Sequence, residues 1–360
     1  MPDKIRIMVV DDTITYRQIL SKVVESFEQA ELVGSASSGK TALMKIASLK
    51  PDLIFLDVMM PEMDGIETLQ NLKKDYPEIQ VVMVSAFDME NAKATLHSLD
   101  NGALDFIAKP VATNMQEGIQ TLSDALRPLI ELVHQQVFGK RKKELALAVP
   151  APAVAAPSRF ASTEVKAIQG RVDFVLIGIS TGGPNALQLL FEGLKDQITC
   201  PVLIVQHMPP MFTQSLAERL DSIGIMKVQE AKDDQEPQPG QVYIAPGGKH
   251  MLLQKKGLQY RLHIADTPPV NHCKPAVDVL FRSVAGISDL KTLSVVMTGM
   301  GRDGTEGVKA LKRQGTYSII QDEATSVVWG MPGSVHEAGA FDEMLSLKAI
   351  GPRLIELTRH

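Results

Sequence analysis

Residues 175–187, VLIGISTGGPNAL, set Ser180 among glycines where an apolar strand gives way to a helix. The string Gly178-Ile179-Ser180-Thr181-Gly182 satisfies G-x-S-x-G, whose small residues permit a sharp strand-to-helix turn that exposes a nucleophilic hydroxyl. Pro184 falls near the first turn of that helix, whose positive dipole end lies at the same point. The same glycines fit a phosphate-cradling loop in which serine replaces one glycine, so the stretch alone supports either chemistry. A serine hydroxyl becomes a nucleophile only when a base takes its proton and a carboxylate orients that base. His207 directly follows the apolar strand PVLIVQ, the next after the serine, which puts it at the same sheet edge. Among the other histidines, His250 follows two glycines, His263 sits in a hairpin, and His272 and His336 lie in loop-like contexts, so His207 is the preferred base. In LSVVMTGMGRDGTEGVKAL a strand ends at Thr298 and a helix begins around Asp303, which either caps that helix or orients His207. Three residues following three separate strands at one end is how α/β folds assemble a site, which favours the second role.

A second constellation lies upstream. IMVVDD ends in Asp11 and Asp12, LIFLDV in Asp57, VVMVSA in Ser85 and DFIAKP in Lys109 with Pro110. Three carboxylates at one edge repel one another unless a divalent cation is present, and hard oxygen ligands with water suit Mg2+. A lysine opposite them adds positive charge, and a serine hydroxyl can bond a phosphoryl oxygen. The set suits an aspartate that accepts phosphate.

The elements that must hold these residues repeat a βα pattern. From Ile5 to about Gln136, short apolar strands alternate with helix-length amphipathic stretches, which implies a parallel sheet with helices on both faces. GKRKKELALAVPAPAVAAPSRFAS then turns from basic to Ala- and Pro-rich and reads as a semi-rigid linker. After Val172 apolar strands resume, with one antiparallel excursion, HMLLQKKGLQYRLHI, expected to turn at Lys256 and Gly257. The expected domains are 1–137, a linker at 138–170, and 171–360, both α/β with doubly wound parallel sheets. With 360 residues at 44% hydrophobic, the chain has material for two cores. Lys and Arg number 37 against 42 Asp and Glu, for a net charge of −5, which argues against nucleic acid as the main partner. Two cysteines, Cys200 and Cys273, provide neither a disulfide framework nor a cysteine-rich zinc site and fit a reducing, cytoplasmic compartment. The acidic N-terminal stretch is unlike a signal peptide, and no apolar run is long enough to cross a bilayer.

Residues 5–137 resemble the response-regulator receiver domains, most specifically through LIFLDVMMPEMDG. The resemblance implies a flavodoxin-like fold and phosphorylation of Asp57 by a chemotaxis histidine kinase. It implies Mg2+ held by Asp11, Asp12, Asp57 and the backbone carbonyl near Met59, a phosphoryl switch through Ser85, Phe106 and Lys109, and a cis Lys109–Pro110 bond. From about Val172 to Thr358 the chain resembles the catalytic domain of the chemotaxis protein-glutamate methylesterases, through IGISTGGPNAL, IVQHMPPMFTQSLAERL, VYIAPGGKHM, MTGMGRDGTEG and QDEATSVVWGMPGSV. That likeness implies a Rossmann-like esterase domain without a cofactor, a Ser180, His207, Asp303 triad, a backbone donor near Met300 for the oxyanion, and Thr181 helping to hold the histidine. Its substrates would be glutamate methyl esters, and by the same route glutamine amides, on the cytoplasmic helices of chemoreceptors. The order Ser, His, Asp differs from the Ser, Asp, His of α/β-hydrolases, so the elbow is a local likeness.

A receiver in front of an esterase makes sense if the unphosphorylated receiver lies across the cleft and phospho-Asp57 releases it. Two rivals stand beside this reading. In a nucleotide-binding module the glycines would cradle a phosphate without turnover. A DNA-binding regulator would need a basic recognition helix after the linker, and NALQLLFEGL is not basic. The stretch PVNHCKPAVDVLFRSV, residues 269–284, either lines the cleft or is a structural loop and helix.

Overall fold

The computed structural model describes residues 4–86, 89–110, 114–147 and 170–359. The chain forms two compact units, and each is described by itself.

The first unit contains strands β1 (Ile5–Val10), β2 (Ala30–Ala36), β3 (Leu53–Asp57), β4 (Gln80–Ser85) and β5 (Asp105–Ala108). They alternate with helices α1 (Ile14–Glu25), α2 (Gly39–Leu49), α3 (Gly65–Asp75), α4 (Met89–Asp100) and α5 (Met115–Leu147). All strand pairs are parallel in the order β2-β1-β3-β4-β5, the flavodoxin-like arrangement expected. β1 and β3 are buried almost throughout, because helices cover both faces of the sheet. Ile7, Val9, Phe55, Val82 and Val84 meet Leu20, Val23, Leu126 and Ile130 in one core.

α5 runs on to Leu147, through the basic stretch assigned to the linker. Lys, Arg, Glu, Leu and Ala are all good helix formers, and nothing in GKRKKELAL stops a helix already under way. The Ala- and Pro-rich remainder of that linker, 148–169, lies outside the described residues.

The second unit contains β6 (Phe174–Ile179), α6 (Gly183–Glu192), β7 (Val202–Gln206), α7 (Phe212–Asp221), β8 (Lys227–Glu230) and β9 (Gln241–Ile244). The hairpin β10 (His250–Lys256) and β11 (Gln259–Ala265) follows, then α8 (Val277–Ala285), β12 (Thr292–Val296) and α9 (Thr305–Lys312). The chain ends with β13 (Tyr317–Gln321), α10 (Met331–Glu337), β14 (Glu343–Leu345) and α11 (Leu347–Thr358). Seven parallel strands run in the order β14-β13-β12-β6-β7-β9-β8, and the direction of winding reverses between β6 and β12. That switch point opens a crevice at the carboxyl ends of the central strands, where ligands of open α/β sheets bind. The hairpin closes with Lys256 opposite Gln259, so the turn is Gly257–Leu258, one residue later than expected. Gly257 takes φ 63°, a left-handed value that a two-residue hairpin turn requires at its first position and Lys256 would resist.

Candidate active site

Ser180, His207 and Asp303 each leave a strand beside the switch point. β6 and β7 are paired as far as Ile179 and Gln206, and the His207 amide donates to the Ile179 carbonyl at 3.2 Å, so the next pair in register is Ser180 and His207. The Ser180 amide donates to the Thr298 carbonyl at 2.9 Å beyond the end of β12, and Gln206 Nε2 donates to the Ser180 carbonyl at 2.9 Å. Gly182, at φ 73°, ends the turn and starts α6 with Pro184 in its first turn, which leaves Ser180 half-buried at the sheet edge.

His207 and Asp303 are directly joined, His207 Nε2 lying 2.8 Å from Asp303 Oδ2. Asp303 is not the N-cap of its own helix, because α9 starts at Thr305 behind Gly304. Its carboxylate instead serves the start of α8, where the Val277 amide donates to Oδ2 at 2.6 Å and the Asp278 amide to Oδ1 at 3.1 Å. Asn271 Nδ2 adds a bond to Oδ1 at 2.8 Å and reaches Asp278 Oδ2 at 3.0 Å. Asp278 returns the service, accepting from the Gly307 amide in α9 at 2.7 Å.

Burial pushes the Asp303 carboxyl up, but the bond to His207, the charge of His207, Asn271 and the Val277 amide outweigh it and hold the group below the ordinary carboxylate value. Burial works the other way on His207, and the bond to Asp303, the contact with Cys273 and the charge on Asp303 overcome it, so the imidazole is pushed up to about 9.

The second ring nitrogen, Nδ1, faces Cys273 Sγ at 3.5 Å. Among the described residues the Ser180 hydroxyl makes no hydrogen bond, so the serine stands beside the histidine without a bond to it. Catalytic hydrogen bonds are often loose in a protein without substrate. Among the described residues no hydrogen bond joins Thr181 to the imidazole; the Thr181 carbonyl accepts from Thr298 Oγ1 at 2.9 Å, while Asp303 and Cys273 contact the two ring nitrogens. The amide of Met300, in the turn after β12, makes no backbone hydrogen bond among the described residues and is free to receive an oxyanion. His250 is a structural residue, fully buried, with Nδ1 accepting from the Ala276 amide and Nε2 facing the Pro268 carbonyl, both at 3.1 Å. Asn271, Cys273 and Asp278 escaped the sequence reading, although the stretch 269–284 that contains them stood out as possible cleft lining.

In the first unit Asp11, Asp12 and Asp57 bring carboxylate oxygens within 4.8 Å of one another at the ends of β1 and β3. Lys109 Nζ lies 2.8 Å from Asp11 Oδ2 and 2.7 Å from Asp57 Oδ2, and 4.7 Å above the Tyr16 ring. Burial raises the Asp57 carboxyl to about 6 against the pull of Lys109. Burial also opposes the charge on Lys109, but Asp57 and Asp11 prevail and its value is raised. Ser85 is buried at the end of β4 and Phe106 is buried in β5, while Met59 is exposed just past Asp57. A Cβ at Gly65 would lie 2.0 Å from the Asp57 carbonyl, so the glycine lets the start of α3 pass over the acidic strand end. Asp11 Oδ2 is buried with an ion-pair contact but no hydrogen bond, an available lone pair that fits a hard divalent cation. The Lys109–Pro110 bond is not cis; among the described residues the cis bond is Lys274–Pro275. Trans is the intrinsically favoured isomer by about 0.5–1 kcal/mol, and Lys109 reaches its carboxylates without the other.

Two parallel sheets, each with its chemistry gathered at a switch point, define a receiver fused to a serine-hydrolase-like α/β domain. The response regulator receiver domain profile matches residues 7–120, and the CheB methylesterase profile matches residues 175–354. The chain is 43% identical over 353 residues to a protein-glutamate methylesterase/protein-glutamine glutaminase of Trichodesmium erythraeum (strain IMS101), covering 98% of each chain. It is 40% identical over 360 residues, covering 99% of each, to a protein of the same name from Desulfotalea psychrophila. The Thermotoga maritima CheB methylesterase catalytic domain matches with a TM-score of 0.50 and 42% identity, over 52% of this chain and 100% of that one. The chain belongs to the CheB methylesterase family, a family of carboxylic ester hydrolases, and carries a receiver domain. No helix among the described residues is long and apolar enough to cross a membrane.

Proposed function

We propose that this protein is a cytoplasmic, phosphorylation-regulated esterase that hydrolyses γ-glutamyl methyl esters, and deamidates glutamines, on the cytoplasmic helices of methyl-accepting chemoreceptors. Its receiver lies within 1–137 and its esterase domain within 171–360. The observation that carries the reading is the bonded His207–Asp303 pair one strand away from Ser180 at the switch point.

Ser180 Oγ attacks the ester carbonyl while His207 takes its proton. With Nε2 held by Asp303, the accepting atom is Nδ1, and Asp303 stabilises the imidazolium that forms. The weak thiol contact from Cys273 yields as the serine hydroxyl turns toward the ring. Negative charge gathering on the carbonyl oxygen is met by the Met300 amide, the kind of donor whose loss typically costs about a hundredfold or more. His207 returns the proton to the departing methoxide, or to the departing amide nitrogen, which leaves as ammonia. Water activated by the same nitrogen then releases glutamate.

In the receiver, Asp57 is the phosphate acceptor, supplied by a chemotaxis histidine kinase. Asp11, Asp12, Asp57 and the carbonyl near Met59 would hold Mg2+, whose chemistry there is to neutralise phosphoryl charge. Lys109 and Ser85 bond the phosphoryl oxygens, Phe106 responds to Ser85, and phosphorylation of the receiver raises esterase activity.

Methanol release from methylated receptor tests the reading. Ser180→Ala is expected to abolish release and leave the melting temperature unchanged, since the hydroxyl makes no hydrogen bond in the folded state. Release at the wild-type rate would refute the assignment.

A further inference from the structure

We propose that the esterase domain has an inhibitory metal site, in which Cys273 Sγ and His207 Nδ1 bind a borderline-soft divalent cation of the Zn2+ class. Cys273 Sγ stands 3.5 Å from His207 Nδ1, while Asp303 holds Nε2. A tetrahedral ion with a Zn–S bond of about 2.3 Å and a Zn–N bond of about 2.0–2.1 Å needs its sulfur and nitrogen about 3.5–3.6 Å apart. The separation of the two donor atoms matches that of a shared tetrahedral ion. The donor atoms of His207, Cys273 and Asp303 all fall within 4.8 Å of one another.

Asp303 serves this site from behind. Its bond to Nε2 fixes the ring and leaves the Nδ1 lone pair for a ligand, the carboxylate–histidine–metal arrangement that orients a ligand and raises its basicity. Its two oxygens are already held by Asn271, Val277 and Asp278, so the carboxylate orients the ligand and does not bind the ion. Cys273 is half-buried and reachable from solvent, whereas Cys200 is buried and lies outside the site. Two protein ligands leave the remaining positions to water, which makes binding reversible. The ion replaces the thiol proton, which leaves to solvent, so the bound sulfur is a thiolate.

A thiolate–imidazole pair selects Zn2+ or Co2+ and discriminates against Mg2+, the reverse of the all-oxygen cluster in the receiver. An ion on Nδ1 blocks the nitrogen that accepts the serine proton. This consequence rests on the esterase reading above, while binding itself does not.

Full-length protein titrated with Co2+ reads binding directly, through the near-ultraviolet thiolate-to-cobalt absorption. The band is expected in wild type and in Asp57→Asn, and is expected to be lost in Cys273→Ser and His207→Ala. In methanol release, with each protein's rate taken relative to its own rate without added metal, Cys273→Ser is expected to need at least tenfold more Zn2+ for half-inhibition than wild type, with Mg2+ inhibiting neither protein. A wild-type protein without the band, a band that survives Cys273→Ser, or equal Zn2+ inhibition of both proteins would overturn the proposal. Should the esterase reading fail, the cobalt band still decides the metal site.

Discussion

Replacing Asp303 by asparagine tests the pair that carries the catalytic reading. Displacement of the His207 value from 6.5 to about 9 corresponds to about 3 kcal/mol favouring the imidazolium over the neutral ring, the net of burial against the bond to Asp303, the contact with Cys273 and the charge on Asp303. At pH 7 a base with that value is unprotonated in about 1% of molecules. Wild-type kcat/KM for methanol release is therefore expected to rise about tenfold per pH unit through neutrality and to level off near pH 9. In Asp303→Asn the bond and charge of Asp303 are gone while burial and the Cys273 contact remain, so the limb moves to lower pH. The amide also presents a second mismatch. An asparagine Nδ2 in the place of Oδ2 would face the Val277 N–H and His207 Nε2, and in the place of Oδ1 it would face the Asp278 N–H and Asn271 Nδ2, so either orientation opposes two donors. The rate at the plateau is expected to fall by about 10²–10⁴, the usual worth of a positioned general base. Initial rates at substrate concentrations well below KM, from pH 6 to 10, give both numbers. A wild-type limb near 6.5, or a variant that keeps its limb near 9, would refute the reasoning.

The same shifts set a stability profile with a definite sign. His207 is raised on folding, so its contribution is complete below about pH 6.5 and disappears as pH climbs through about 9. Asp303 is depressed on folding, so its contribution is complete above the ordinary carboxylate value of 3.8 and disappears on acidification below it. The pair stabilises most between about pH 4 and 6.5. Catalysis improves where that stabilisation fades, because the free base and the intact ion pair are alternatives.

Gly65→Ala places a Cβ 2.0 Å from the Asp57 carbonyl, and a shift of the acidic strand end is expected to cost about 1–3 kcal/mol in urea unfolding and to slow phosphorylation by a small phosphodonor. Unchanged stability would mean that α3 gives way freely. His250→Phe strands the buried Ala276 amide and is expected to cost about 1–3 kcal/mol while leaving the pH limb of kcat/KM in place. A moved limb would give His250 a part in the chemistry. Asp57→Asn is expected to abolish the response of esterase activity to a phosphodonor, measured as the ratio of rates with and without it, while the basal rate persists. Continued stimulation would locate the acceptor elsewhere.

The central strands were legible because they are buried on both faces and read as unbroken apolar runs: FVLIGI in β6 and VLIVQ in β7 could hardly be anything else. The edge strands β8 and β14 were not. KVQE and EML are short and partly exposed, and each becomes a strand only because β9 or β13 offers it a partner. Local chemistry placed the hairpin to within one residue, since Gly257 had to be in the turn but nothing local distinguished Lys256 from Leu258 as its companion.

Asp303 shows where a residue legible in the sequence can carry unread wiring. Its neighbours suggested a cap for α9, yet Gly304 occupies that position and the carboxylate spans to α8, whose own N-cap, Ala276, has no side chain able to serve. Asp278 meanwhile reaches back to Gly307, so each helix start is satisfied by an acid from the other segment. Such reciprocity joins residues 25 to 29 positions apart and leaves no periodic trace in sequence. It also makes the loop before α8 part of the site: Asn271, held at φ 52°, and Cys273 touch Asp303 and His207 because the same segment brings in the amides that hold the carboxylate. One group, Asp303, thus bears on both the position of α8 and the basicity of His207. A change at the start of that helix should be read out as a shift in the pH profile before it is seen as a loss of fold.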